Sequence, residues 1–253
     1  MAYPKGYIEL NEERDYPLLR CVLDSGFIAH RQLFEFLVAS YHEHSRESFN
    51  WRVKRLVEHR FLIRHNVPAF GRNYVYSVSR EGAHHLCSKP ECASVAIAWL
   101  NLKQDSERIL HAVELNELRL ILQRAGLLAR WMSALEVRSR NELTEYGYAK
   151  DYDAIVTLRV VGKETQVALE YERQPKGSKR YAQIARAIES ERRVTKFFYL
   201  VPDYKLLWFV QGYFAKTARR IYFGTAEEFK RDLLEMKVID GRLNFSTFRE
   251  AFL

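Results

Sequence analysis

The sequence predicts a two-domain α/β protein: an N-terminal winged helix-turn-helix, residues 1–95, followed by a mixed α/β sheet domain, residues 96–253. Three observations predict it. The first third holds three successive runs with apolar residues at helical spacing, then two strand-like runs around a turn containing Pro and Gly. The rest interleaves strand-like runs with amphipathic helices, the pattern of a sheet with helices packed on it. The net charge is +8 and the isoelectric point about 9.3, which favours a polyanionic partner, nucleic acid ahead of a membrane surface.

The first helix is expected in "DYPLLRCVLD", residues 15–24, stopped by Ser25 and Gly26. "AHRQLFEFLVAS" gives a second helix, with Leu33, Phe34, Leu37 and Val38 on one side. After the polar turn "YHEHSRES", the third helix lies in "FNWRVKRLVEHRFLIRH", with Trp51, Val53, Leu56 and Val57 facing inward. Arg52, Lys54, Arg55 and Arg60 are left for solvent or phosphate. "FLIRHNVPAFGRNYVYSVS" reads as a β-hairpin, and "REGAHHL" starts another helix. Three helices, the third one basic, then a hairpin is the order of a winged helix, whose third helix enters the major groove. Asn50, Arg52, Lys54, Arg55 and the wing residue Arg72 are the candidate DNA contacts. Against this stands a solvated helix face on a module that mediates dimerisation.

A long helix in "WLNLKQDSERILHAVELNELRLILQRAG" ends at Gly126 and opens the second domain. The predicted strands are "ARWMSALEVRS", "YDAIVTLRVV", "TQVALEYE", "TKFFYLVP", "KLLWFVQGYF" and "RRIYFGT". The basic helix "SKRYAQIARAIESERRV" falls between the third and fourth, and a last helix lies in "AEEFKRDLLEM". From Arg173 to Lys196 eight basic residues face two acids, a local net of +6. Lys179, Arg180, Arg186 and Arg193 form a stripe that can follow a phosphate backbone, each contact steepening the salt dependence of binding. The alternative is a solvated helix that docks through Ile184 and Ile188.

The segment "VALEYERQPKGSKRY" poses the sharpest chemical question. Side chains along a strand alternate faces, so Glu170, Glu172 and Gln174 share one face. Adjacent carboxylates repel, and burying them unpaired is costly, so a cation, a metal or open water must compensate.

No apolar run reaches membrane-spanning length, and the N-terminus has no apolar signal core. Three cysteines fit reduced thiols in a cytoplasm. "HHLCSKPEC" has C-x4-C spacing and no second pair, so it reads as a loop with incidental thiols rather than zinc ligands. P-loop, dinucleotide-binding, nucleophile-elbow and HExxH patterns are absent.

The order of elements, with acids at strand positions, resembles the restriction-endonuclease-like (PD-(D/E)XK) fold. More specifically, "GRNYVYSVSREGAHHL", "HAVELNELRLIL", and "DYDAIV" followed by "ALEYERQ" resemble segments of the bacterial replication-relaxation family of plasmids and mobile elements. Glu172 stands where that family more often has Asp, and Gln174-Pro175 replaces a small residue and Thr. The resemblance implies catalytic Asp153, Glu170 and Glu172, with Mg2+ held by Asp153, Glu170 and an acid on the preceding helix, Glu114 or Glu117. It lacks the usual Lys two residues after the Glu; Glu172 is there instead. Three readings of the acids stay open: a metal-dependent endonuclease or nickase, a degenerate site on a DNA-binding scaffold, and structural ion pairs. The corresponding functions are a cytoplasmic, double-stranded-DNA-binding protein in replication, relaxation or transfer of a mobile element, the endonuclease itself, or an adaptor recruiting a relaxase or replication protein. A homodimer is compatible with each.

Overall fold

Side-chain caps set where many of the helices begin. The structure, a computed structural model, describes residues 8–71, 73–102, 106–160 and 162–253. In chain order the first elements are α1 (Asp15–Ser25), β1 (Ile28–Ala29), α2 (His30–Ala39), α3 (Arg46–Glu58), β2 (Leu62–His65), β3 (Val75–Val78), α4 (Arg80–Cys87), α5 (Ala93–Leu100) and α6 (Ser106–Arg124). The Ser45 hydroxyl accepts from Ser48 N to start α3, and Ser79 accepts from Gly82 N to start α4. β1, β3 and β2 form a three-stranded antiparallel sheet in that order, with Ile28 opposite Tyr76 and Leu62 opposite Val78. Leu18, Leu19, Leu33, Phe49, Leu56 and Trp99 are buried in this part of the chain.

The second set of elements is β4 (Leu128–Ser133), α7 (Ala134–Leu143), β5 (Ala154–Val160), β6 (Lys163–Tyr171), α8 (Ser178–Ser190), β7 (Lys196–Val201), α9 (Tyr204–Phe214), β8 (Ile221–Thr225), α10 (Ala226–Asp232), β9 (Lys237–Asp240), β10 (Phe245–Thr247) and α11 (Phe248–Phe252). One seven-stranded mixed sheet has the order β10-β9-β8-β7-β6-β5-β4. β4, β5 and β6 are an antiparallel meander, β6, β7 and β8 are parallel, and β8, β9 and β10 are antiparallel again. Parallel neighbours need crossovers, and α8 and α9 supply them. One face of the sheet packs Tyr181, Ile184, Ile188, Leu207, Val210 and Phe214 against Ala168, Phe197, Tyr199 and Phe223. A separate aromatic cluster joins Phe198 with Phe229, Phe248 and Phe252. The chain thus forms a mixed α/β protein of two compact units, Met1–Leu120 and Ile121–Leu253, and the expected boundary at residue 95 falls within α5.

Several expectations need correction. "KLLWFVQGYF" is helical, not a strand. Asp203 caps it by accepting from Leu206 N (2.8 Å), and Leu206, Leu207, Val210 and Phe214 bury at helical spacing. The strand in "ARWMSALEVRS" stops at Ser133, whose hydroxyl caps α7. On α2, Phe36 rather than Val38 joins Leu33 and Leu37 in the core. α8 ends at Ser190, so Arg193 lies beyond the helix that was expected to carry it.

Two glycines separate packing from propensity. A Cβ on Gly82 would collide with the Phe61 carbonyl oxygen and stand 2.9 Å from Val78 Cγ1, whereas one on Gly212 of α9 meets nothing within 4 Å. Gly82→Ala is expected to destabilise the protein by about 2 kcal/mol through overpacking. Gly212→Ala is expected to stabilise it by about 0.5–1 kcal/mol through helix propensity. Urea-denaturation midpoints of both variants check the pair.

Candidate functional site: a buried acid and lysine cluster

Asp153 sits where the chain enters β5, and Glu170 near the end of β6. The Asp153 carboxylate accepts from Tyr171 N (2.7 Å), which clamps the two strand ends together. Strand alternation places Glu170 and Glu172 on one side, and both are buried, whereas Gln174 lies at an exposed bend. The compensation that buried carboxylates require comes from two lysines. Lys150 Nζ donates to Glu170 Oε1, and Lys176 Nζ donates to Glu172 Oε2 at 2.7 Å. The Lys150 ammonium also lies 4.6 Å from the Tyr152 ring centroid, a cation–π contact.

Local architecture delivers these lysines. The stretch after α7 is tied down by Asn141, whose amide donates to Asp151 (2.7 Å) and whose carbonyl oxygen accepts from Tyr148 N (2.5 Å). Buried Glu191 anchors it from the far side, accepting from Ala149 N (2.9 Å) and from the Tyr152 hydroxyl (3.1 Å). Lys176 N donates to the Tyr181 hydroxyl (3.1 Å), fixing the segment that leads into α8.

Burial pushes the Glu170 carboxyl up to about 7, with Lys150 opposing the rise and Asp153 adding to it. Burial acts to lower Lys176, but the hydrogen bond and charge of Glu172 outweigh it and hold the ammonium above its usual range. Tyr199 lies opposite Glu170 in the β6–β7 register. Its hydroxyl is fully buried and finds no hydrogen-bond partner among the described residues. Burial, with the charges of Glu170, Glu172 and Asp153, drives its pKa far above the phenol range.

These residues do not fit the Mg2+ ion that the resemblance implies. Mg2+ requires open oxygen ligands in near-octahedral order. Here ammonium groups stand on both glutamates, and Asp153 is engaged by a backbone N–H. Among the described residues no group of three or more His, Cys, Asp or Glu side chains is arranged to hold a metal ion. Glu114 and Glu117 lie on α6, where Glu117 accepts from Arg31 (2.5 Å) and Gln32 (3.2 Å). Sequence reading offers Lys176, Lys179, Arg180, Lys150 and Arg173 for the missing lysine, with Pro175 and Gly177 leaving directions open, and the structure brings Lys150 and Lys176 to the acids. That reading misses Tyr199, whose signal is the parallel strand register.

The proposed DNA contacts of the first unit are scattered in environment. Trp51 and Arg52 exchange their expected places: Trp51 is 61% exposed and Arg52 only 5%. The Arg52 guanidinium donates to Ser48 Oγ (3.0 Å) and lies 3.4 Å from buried Glu43. Arg55 pairs with buried Asp15 and stacks over Trp51 (5.0 Å). Asn50 Oδ1 meets His30 Nε2 at 2.9 Å. Lys54 is exposed, with a long i,i+4 pair to Glu58 (3.7 Å) that is worth little. Arg72 lies outside the described residues. Sequence reading misses Arg46, whose guanidinium covers the Phe34 ring at 3.7 Å, and Arg64, which covers Tyr74 at 4.6 Å.

On α8, Lys179, Arg180 and Arg186 are exposed, Arg180 donating to Gln183 (3.3 Å) and Arg186 to the Ala182 carbonyl (3.3 Å). Arg193 covers the Tyr146 ring at 5.4 Å.

No family model matches the chain, and no curated protein matches it. Among solved structures, the restriction endonuclease FokI bound to DNA is similar over 86% of this chain and 43% of that one, at 12% identity and a TM-score of 0.29. The chain spans less than half of FokI's length. What fold and site define is a mixed α/β protein with a lysine-neutralised acid cluster at the end of a parallel strand pair. No helix among the described residues is long and apolar enough to cross a membrane.

The raised Glu170 pKa has a sign that can be checked. Between pH 4.5, its ordinary value, and about 7, the folded protein binds this proton more tightly than the unfolded chain. Its contribution to stability is therefore complete below that window and is lost as pH rises through it. Glu170→Gln is expected to remove a pH-dependent difference on the order of 3 kcal/mol, read from urea midpoints at both ends of the window. Arg52→Ala should destabilise the protein by about 3 kcal/mol, because it leaves Glu43 buried without its cation; thermal melting checks this.

Proposed function

We propose that this chain is a double-stranded-DNA-binding protein that grips phosphate through two exposed cationic surfaces and carries a nuclease-like domain whose acid cluster is structural. The observation that carries the reading is the α8 face. Lys179, Arg180 and Arg186 are exposed and make no carboxylate pair among the described residues, although the chain has 32 acids. Cations held away from acids are available to displace the counterions of a phosphate backbone.

The first unit supports a winged-helix reading. Three helices precede an antiparallel hairpin, and a short strand between the first two helices completes its sheet. In that reading the exposed side of α3 approaches the groove with Asn50 and Lys54, joined by Arg46, while Arg64 and Arg72 serve the wing. Arg52 and Arg55 hold the module together instead, since each is engaged with a buried acid. The resemblance noted above implies a role for such binding in replication, relaxation or transfer of a plasmid or mobile element, within a cytoplasm. A relaxase or replication protein is the partner that reading implies.

Salt dependence of duplex binding tests this. Gel shifts of plasmid fragments over a salt series are expected to give a steep linear fall of log affinity with log salt. Lys179→Glu with Arg186→Glu should reduce that slope by about 2, one unit for each phosphate no longer neutralised. Absence of a shift at low salt, or an unchanged slope in a folded variant, contradicts the reading. Mg2+-dependent nicking abolished by Glu170→Ala would establish the endonuclease in its place.

A further inference from the structure

Helix α9 packs one side into the interior, yet a broad part of its surface is open. Leu206, Leu207, Val210 and Phe214 bury that side, while Tyr204, Trp208, Phe209 and Tyr213 are each 38–48% exposed. At 100° per residue these four rings, with Lys205 and Gly212, occupy the whole outer arc of the helix. Isolated exposed apolar residues are ordinary, but a contiguous aromatic face marks an interaction surface.

Three of the four rings are held in place. Tyr213 stacks on Tyr181 of α8 with centroids 4.6 Å apart and planes 21° from parallel, and Tyr181 is fully buried. Phe209 meets Tyr213 edge-on at 5.3 Å and Tyr181 at 6.1 Å. The Tyr204 hydroxyl donates to Glu228 at 2.5 Å. Rigid aromatic groups lose little conformational freedom when a planar ligand stacks on them.

Charge identifies the occupant. Along the chain from Tyr204 to Arg220 there is no acid, while Lys205, Lys216, Arg219 and Arg220 are all basic; Glu228, the carboxylate at the Tyr204 end of the face, is engaged by that tyrosine's hydroxyl. Arg219 is used internally, donating to the Glu191 carbonyl, and Arg220 acts on Asp240, but Lys205 on the face itself and Lys216 just beyond the helix end are exposed. A second copy seated on this face would bring two sets of cations together. A single-stranded nucleic acid satisfies both features, because its bases stack on aromatic rings and its phosphates take the cations. Duplex DNA does not, because its bases are already stacked inside.

We propose that the outer face of α9 is a stacking platform for single-stranded DNA, distinct from the phosphate-binding surfaces assigned to duplex. The face displays few polar groups, so it reads no base edge, and binding is tolerant of sequence. It would hold a strand freed from the duplex.

The test uses the full chain and a fluorescein-labelled oligothymidylate of about 16 nucleotides, read by anisotropy at low salt. Trp208→Ala and Tyr213→Ala are each expected to weaken binding about tenfold. Both positions are at the surface, and the melting temperature of each variant confirms folding. Should Tyr213→Ala fail to fold, Trp208→Ala with Lys205→Ala stands in, with the same expected loss. Duplex binding by the same variants is expected to be unchanged, which separates this proposal from the reading above. Oligothymidylate binding that survives Trp208→Ala in a folded protein overturns the platform. Absence of binding, with self-association abolished by Trp208→Ala, assigns the face to a second copy instead. A clear preference for oligouridylate overturns the assignment to DNA.

Discussion

The end of the β6–β7 strand pair depends on neutralising two carboxylates that the strand period forces to one side. Glu170 and Glu172 are buried together, and a buried charge without a partner is among the most expensive features a fold can hold. Lys150 answers one and Lys176 the other. Each lysine arrives on a segment that is itself fastened, the first by Asn141 and Glu191, the second by the Tyr181 hydroxyl. The chain between α7 and β5, the strand ends and the approach to α8 are therefore one electrostatic unit. Two effects oppose each other at Glu170: burial pushes its carboxyl up, and the Lys150 ammonium holds it down.

This arrangement separates cations that build the protein from cations that are free to work. Arg52, Arg55, Lys150 and Lys176 are all committed to acids, and each of those four acids is buried. The exposed cations of α8 and of the α3–β2 region have no such duty. A net charge of +8 thus understates the contrast between a paired interior and a basic surface. The same logic moves the proposed DNA contacts off Arg52 and Arg55, where sequence pattern puts them, and onto their exposed neighbours.

Much of the fold was legible because period and punctuation agreed. The first two helices, the hairpin, the β5–β6 meander and α8 fall where apolar spacing and turn residues put them, whereas α3 starts at Arg46, within the run read as a polar turn, because Ser45 caps it there. α9 is misread because "KLLWFVQGYF" is apolar at both helical and strand periods; its cap, Asp203, and the need for a crossover between parallel strands decide it. The Trp51–Arg52 exchange has a different origin. Hydrophobicity puts Trp inside, but a buried Glu43 draws Arg52 inward and turns Trp51 out. Paired acids at strand spacing were readable; what neutralised them was not, since Lys150 reaches Glu170 from a loop and Tyr199 arrives by strand pairing.

Melting of the wild-type protein at about pH 8, above the Glu170 titration, with and without millimolar Mg2+ or Mn2+ tests the central claim most directly. If lysines have already neutralised the cluster, the melting temperature stays where it was, because an ion that gains no ligands stabilises nothing. A rise of several degrees that vanishes in Glu170→Gln would show that the carboxylates open to a metal, and the account of a closed, structural cluster would be wrong.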